Sequence, residues 1–267
     1  LSYHYHRPEP PYNNTLQELW QVDHITGFSK EYIIPKGIVE IIFNFSEGEP
    51  IAVQQNNKEY RLPHCFINGF NKTPIQLQLP QKQVFFGAIF QPLGIKKLFG
   101  SPAAEFSDTS TDVTLINNGF HSLWHQLAEQ NDFGSRVAIL QHWVMKNWVE
   151  WQPQERLIND YLYAQNRHHE SVGQLAGSLC YSPRHLGRKI LEATGMNTEE
   201  LILYKKYLHA VELMHHTDLQ LTAIAYQCHF SDQAHFIKSF KSFTGMTPGA
   251  YRRNKSTVKG HLYENVR

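Results

Sequence analysis

Along the first hundred residues the apolar positions fall in short runs, some alternating and some uninterrupted, with turn residues between them. YIIPKGIVEIIFNF (32–45) is β-branched and aromatic and is broken at Pro35 and Gly37. IQLQL (75–79) alternates strictly, and VFFGAIFQP (84–92) reads as a strand buried on both faces. Gly48-Glu49-Pro50 and Asn56-Asn57 read as turns, and the polar, proline-rich residues 1–15 as an irregular arm. After residue 94 the period changes. IKKLFG (95–100) predicts a helical turn stopped at Gly100. GFHSLWHQLAEQ (119–130) and SRVAILQHWVMKNWVEW (135–151) place Leu, Ile, Val and Trp at i, i+3 and i+4, the spacing of amphipathic helices. Pro153 suits the first position of a helix over 153–166, with Leu157, Ile158, Tyr161 and Leu162 on its inner face.

From Ser171 the pattern is one motif written twice. Leu175-Ala176 matches Ile224-Ala225 and Tyr181-Ser182 matches Phe230-Ser231, each pair 49 residues apart. Leu186, Arg188, Ile190 and Thr194-Gly195-Met196 match Phe236, Lys238, Phe240 and Thr244-Gly245-Met246 at a spacing of 50, so one residue is inserted at the second turn. Each copy predicts a short helix, a turn and a longer helix. Ser171 with Gln174 forms a capping box; Ser182 caps the next helix, Pro183 takes its first position and Gly195 ends it. Asn197 with Glu200 opens a linking helix to about His216, packed through Leu201, Tyr204, Leu208, Val211 and Met214. Thr222 and Ser231 are the expected caps in the second copy, Gly245 its stop, and the residues after Arg253 a polar tail. The expected fold is α+β: a β-rich N-terminal domain over 1–152, helical from about 117, then an all-α domain over 153–253 of two helix-turn-helix units joined by a long helix, then a tail over 254–267.

Composition narrows the function. Net charge is +1, but residues 154–267 hold 14 Lys/Arg against 10 Asp/Glu, and residues 1–153 hold 11 against 14. A basic C-terminal module behind a mildly acidic one fits a nucleic-acid binder. Cys65, Cys180 and Cys228 show neither a disulfide framework nor CxxC spacing, which points to a reducing cytoplasm. No run approaches the ~20 apolar residues of a membrane span, and LSYHYHRPEPP lacks the pattern of a signal peptide. His4-x-His6, His168-His169 and His215-His216 bring no third ligand at a telling spacing, so no metal or other cofactor is expected. Ser101, Ser107 and Ser110 lie outside any catalytic signature, and no phosphate loop occurs, so no enzyme is expected.

In a helix-turn-helix the second helix enters the major groove while the first braces it. Leu175, Leu179, Leu186 and Ile190 make the inner face of the first copy, and Phe236, Phe240 and Phe243 that of the second. The outer faces carry Arg184, His185 and Arg188, and Gln233, Ala234 and Lys238, which are the expected base or groove contacts. Ser182, Lys189, Ser231, Lys241 and Arg252 are the expected phosphate contacts. Asp232 reads as a capping residue, and His235 as packing rather than contact. A linking helix of about 20 residues spans roughly 30 Å, close to the ~34 Å between successive major-groove faces.

The strings L-A-x4-Y-S-x3-L-x-R (Leu175 to Arg188) and L-T-x-I-A-x4-F-S-D-Q-x-H-F-x-K-x-F-K-x2-T-G-x-T-P-x2-Y-R (Leu221 to Arg252) resemble the DNA-binding domain of the AraC/XylS family of bacterial transcription regulators. The resemblance implies sequence-specific binding of promoter DNA through two successive major grooves, in the cytoplasm and on the nucleoid when bound. It further implies a small-molecule effector, RNA polymerase and a second copy of the chain as partners. Three departures stand out. Cys180 and His229 occupy turns where the family carries Gly, Tyr207-Leu208 replaces Arg-Leu, and Gly187 sits where a base-contacting side chain is common. PKGIVEIIFNF (35–45) and FGAIFQPLGIKKLFGSPAAEF (86–106) resemble an uncharacterised sensor-like domain found ahead of such modules. The alternative is an interaction protein whose degenerate helix-turn-helix domain no longer binds DNA. Glu40, inside an apolar strand, either faces solvent by alternation or enters a pocket. Trp20, Trp124, Trp143, Trp148 and Trp151 read as core or interface aromatics.

Overall fold

The computed structural model describes residues 2–23, 27–48, 50–80, 82–147, 150–164 and 171–265. Eleven strands among them form two antiparallel sheets. The first contains β1 (Ser2–His6), β2 (Leu16–Asp23), β4 (Val39–Asn44), β7 (Cys65–Asn68), β9 (Val84–Phe90) and β10 (Thr111–Asp112), in the order β1-β2-β9-β4-β7-β10. The second contains β3 (Phe28–Ile33), β5 (Ala52–Gln55), β6 (Lys58–Arg61), β8 (Ile75–Gln78) and β11 (His261–Asn265), in the order β11-β3-β8-β5-β6. Asn56 and Asn57, with φ of 52° and 59°, make the tight hairpin between β5 and β6 that Asn tolerates.

Two expectations are corrected here. The N-terminal arm is not irregular: Ser2–His6 pairs with β2 in full register as an edge strand. The segment after Arg253 is not a featureless tail, because His261–Asn265 returns to the N-terminal domain and pairs with β3.

Period two sorts the side chains of the first sheet. Leu19, Ile41, Phe43, Ile67 and Phe86 point outward onto helices α2 (Gly119–Ala128) and α3 (Phe133–Lys146), joining Phe120, Leu123, Leu140 and Val144 in one buried cluster. Their alternates Trp20, Ile42, Phe66 and Phe85 point inward, against Ile75, Leu77 and Val53 of the second sheet. Glu40 shares the inward face with Ile42. It is 3% exposed, so the solvent-facing alternative fails. The reason is position: β4 lies between β9 and β7 and all six of its residues are buried, so its second face meets the other sheet and not water.

Helix α1 (Pro92–Phe99) ends at Gly100, φ 77°. α4 (Pro153–Tyr163) starts on Pro153 behind a Gln152–Glu155 capping box. Ile158, Tyr161 and Leu162 are buried as expected, but Leu157 is 40% exposed and leaves the inner face. α4 is bonded to α1 and to the sheet: Asn159 Oδ1 accepts from the Leu93 N–H of α1, and the Tyr163 hydroxyl donates to the Phe90 carbonyl of β9. Trp151 is buried, while Trp20, Trp124 and Trp143 are half-buried; Trp148, His168 and His169 lie outside the described residues. Among the described residues no helix is long and apolar enough to cross a membrane.

The C-terminal helices are α5 (Val172–Ser178), α6 (Pro183–Thr194), α7 (Thr198–His216), α8 (Leu221–Gln227), α9 (Gln233–Thr244) and α10 (Pro248–Asn254). Their buried residues continue the cluster that contains the sheet's outer face, so the core crosses the expected boundary at 152/153 without a gap.

Candidate nucleic-acid interface

Local signals build the two units. In the first, Ser171 and Gln174 exchange side-chain bonds with each other's backbone N–H and start α5. Ser182 accepts from the His185 N–H and starts α6, and Gly195, φ 70°, ends it. Leu175, Leu179, Leu186 and Ile190 are all fully buried between the two helices. Asn197 and Glu200 form a second reciprocal box at the head of α7, whose 19 residues reach about 28 Å.

The second unit departs from the expected caps. α8 begins after Gln220 with no side-chain cap, so Thr222 lies inside the helix. α9 is capped by Asp232 and not by Ser231: Asp232 Oδ1 accepts from the His235 N–H at 2.7 Å. This locates the inserted residue. The turn residues Cys180 and His229, and Tyr181 and Phe230, stay 49 apart, but the caps Ser182 and Asp232 are 50 apart. Ser231 is therefore the extra residue, and its hydroxyl bonds Asp232 at 3.2 Å and His235 Nδ1 at 3.0 Å. The His235 N–H, then the Ser231 hydroxyl and the Ala234 N–H, hold the Asp232 carboxyl below the usual carboxylate range. Charge at this helix start is thus negative, which works against the phosphate contact expected of Ser231. His235 is half-buried, its ring edge-on to Phe230 at 5.5 Å.

Cys180 and His229 have φ of 57° and 56°, the left-handed backbone that favours glycine. The His229 carbonyl accepts from Lys206 of α7 at 2.6 Å, so the linking helix braces the second turn.

Arg184, His185 and Arg188 are exposed along α6, and Gln233, Ala234, Lys238 and Lys241 along α9. Among the described residues none of these cations enters an ion pair. Lys189 does: it is half-buried and stands 3.6 Å from Glu155, which also takes Lys97 at 2.6 Å. Burial raises the Glu155 carboxyl, but bonds from Lys97 and the Gln152 N–H, with Lys189 nearby, bring its pKa below the ordinary value. Arg252 is half-buried, and its Nε and Nη2 have no hydrogen-bond partner among the described residues. Gly187 is less outward than expected: a Cβ there would stand 3.6 Å from the Thr198 hydroxyl of α7.

The far ends of both reading helices face the N-terminal domain. Lys72 reaches the Gly195 carbonyl, Lys96 pairs with Glu192 at 3.2 Å, and the Tyr32 hydroxyl donates to the Thr244 carbonyl at 2.7 Å. Tyr207, standing where the family carries Arg, is fully buried and donates to the Pro35 carbonyl at 2.9 Å. Gly37, φ 69°, leaves room for Leu208: a Cβ would come within 2.4 Å of that side chain. Nothing local in the sequence marked these contacts, since their partners lie more than 90 residues apart. Among the described residues no cluster of three potential metal ligands occurs.

Comparison with known proteins agrees with this geometry. Residues 175–254 match a helix-turn-helix domain model, and residues 4–112 match a domain of unknown function, DUF6597. An uncharacterised HTH-type transcriptional regulator of Staphylococcus aureus (strain MSSA476) is 30% identical over 146 residues, 52% of this chain and 20% of that protein. The HTH-type regulator YtdP of Bacillus subtilis (strain 168), also uncharacterised, is 28% identical over 96 residues, 34% of this chain and 12% of that one. The chain thus spans about a fifth or less of the length of these relatives. ToxT of Vibrio cholerae aligns over 95% of this chain and 98% of its own, at a TM-score of 0.49 and 15% identity. Another ToxT structure is described as bound to an unsaturated fatty acid. The C-terminal domain of the two-component response regulator yesN of Fusobacterium nucleatum is 26% identical, covering 37% of this chain and 96% of that domain, at a TM-score of 0.32. Residues 175–254 thus match a helix-turn-helix domain, which the structure forms as two helix-turn-helix units, behind a stretch that matches a domain of unknown function.

Proposed function

We propose that the chain is a sequence-specific transcription regulator that lays α6 and α9 in two successive major grooves of promoter DNA and answers to a small effector held by its N-terminal domain. The observation that carries the DNA reading is the pair of equivalent helices on one rigid linker, each exposing an uncompensated cationic face: Arg184 and Arg188 on α6, Lys238 and Lys241 on α9. Base reading falls to Arg184, His185, Arg188, Gln233, Ala234 and Lys238. Phosphate contact falls to Lys241 and Arg252, and to Lys189 once Glu155 releases it. Ser182 and Ser231 border the helix starts, with Ser182 the better placed because no carboxylate caps its helix. The division into a sensor over 1–152 and a reader over 153–253 describes roles, since the packing between them is continuous. RNA polymerase contact, pairing of two copies and location on the nucleoid belong to the same reading.

The effector reading rests on a cavity of about 800 Å³ between the two sheets, closed on one side by α7 and the segment leading into β11. This is the size and apolar character of a small-molecule site. The test is DNA selection with the purified chain, followed by affinity against salt. Three phosphate-bound cations predict a log–log slope of about −3 on the selected site. A slope near zero contradicts DNA binding.

A further inference from the structure

Glu40 enters the space between the sheets, and its two oxygens differ. Oε1 takes an ion pair from Lys36 Nζ at 2.7 Å; Oε2 is buried and has no hydrogen-bond partner among the described residues. A carboxylate oxygen out of water without a donor is costly, and a charged donor is its strongest complement. The ammonium of Lys36 also stands 5.9 Å from the ring centroid of Trp20. That indole lies over Gly87 on the neighbouring strand, where any Cβ would come within 2.2 Å of the ring. A carboxylate and an indole face turned to one point recognise an ammonium ion. The one held there belongs to the link between β3 and β4, and its side chain is 24% exposed.

The other lysines on the cavity wall, and His261, are committed elsewhere. Lys205 donates to the Tyr161 and Ala164 carbonyls that end α4, Lys259 pairs with Glu212 at 2.5 Å, and His261 with Glu31 at 2.6 Å. Among the described wall residues, the one other buried side-chain atom without a partner is Nδ1 of His215. Burial, then His216 and Lys255, lower the pKa of that imidazole against a backbone bond at Thr257 that raises it. The unmet carboxylate oxygen of Glu40 calls for a donor. The cavity floor, by contrast, is apolar, built from Ile42, Phe66, Ile75, Leu77 and Phe85.

We propose that Glu40 and Trp20 form an ammonium site, that Lys36 is its internal occupant, and that the effector is an amine with an apolar body whose ammonium displaces that of Lys36. This rests on reading the cavity as the effector site. It also supplies a route to the DNA. Lys36 lies between Pro35, whose carbonyl holds Tyr207, and Gly37, which packs on Leu208. Moving Lys36 therefore moves the grip on α7, the helix that spaces the two readers.

The test is calorimetric titration of the full chain with 4-phenylbutylamine, 4-phenylbutan-1-ol and 4-phenylbutanoate, which share one body and differ in head group. The amine binds at least about ten-fold tighter than the other two, and Glu40→Gln, nearly isosteric, removes that preference. Lys36→Met removes the internal competitor and tightens amine binding by about ten-fold. Thermal melts confirm that both variants fold. Tightest binding by the acid, lost in Lys36→Met, overturns the head-group assignment and leaves the cavity an effector site. Equal binding of all three, indifferent to Glu40→Gln, does the same. No binding of any probe to wild type or Lys36→Met overturns the amine proposal. The effector reading is then judged separately, by whether a small-molecule cell extract shifts DNA affinity and whether Ile42→Trp, which fills the cavity, removes the shift.

Discussion

The two helix-turn-helix units share their core geometry and differ in what holds them. The second half of α6 is held from two sides: Lys189 by Glu155 of α4, and Glu192 and the Gly195 carbonyl by Lys96 and Lys72 of the N-terminal domain. α9 is bonded to that domain at its last turn, through Tyr32 on the Thr244 carbonyl, and among the described residues Lys238 and Lys241, both exposed, enter no ion pair. The first unit thus spends one of its cations on an internal partner and carries Gly187 against α7 where a reader is common. The second leaves Gln233, Lys238 and Lys241 exposed. Equivalent folds do not make equivalent readers; the surroundings decide which charges remain available.

Five substitutions sharpen or break this comparison. Gly37→Ala has the largest effect, a loss of about 2–3 kcal/mol in thermal or denaturant unfolding. It combines a left-handed backbone with a Cβ placed against Leu208. An unchanged melting temperature would show that the sensor does not grip α7. Next, Lys238→Ala weakens specific DNA binding by about 1–3 kcal/mol, while Arg188→Ala costs less; both leave melting unchanged because both side chains are exposed. Equal losses would erase the asymmetry, and lost folding would place these residues in the core.

Glu155→Gln comes third. Gln preserves the capping box with Gln152 while freeing Lys189, so DNA affinity rises a few-fold, on the scale of the ~0.2–1 kcal/mol of a partly exposed pair. No gain would mean that Lys189 does not reach phosphate. Cys180→Gly is the smallest: it relieves a left-handed non-glycine residue, less the entropy glycine loses, and stabilises by about 0.5 kcal/mol in urea unfolding.

Much of the reader was legible in the sequence because its signals are local. Capping boxes at Ser171 and Asn197, Pro183 after Ser182, and glycines at 195 and 245 act within one turn of chain. The errors arose where two local signals compete or where the partner is remote. Ser231 and Asp232 are both good caps in succession, and only the placement of the inserted residue decides between them. β11 carries too short a pattern to announce itself, and its partner β3 lies about 230 residues earlier. Glu40 was ambiguous because alternation says which residues share a face but not whether that face meets water. The pattern of α6 places Lys189 on its exposed face, but the acid beside it comes from α4. In each case the missing information was tertiary.

Hydroxyl-radical footprinting on the selected DNA site tests the central claim most directly. The account predicts two protected patches on one face of the duplex, about one helical turn (~34 Å) apart. Lys238→Ala should weaken both patches, and Arg188→Ala mainly one, because the second unit anchors the complex. A single patch in the wild type, or protection that both substitutions leave intact, would contradict it.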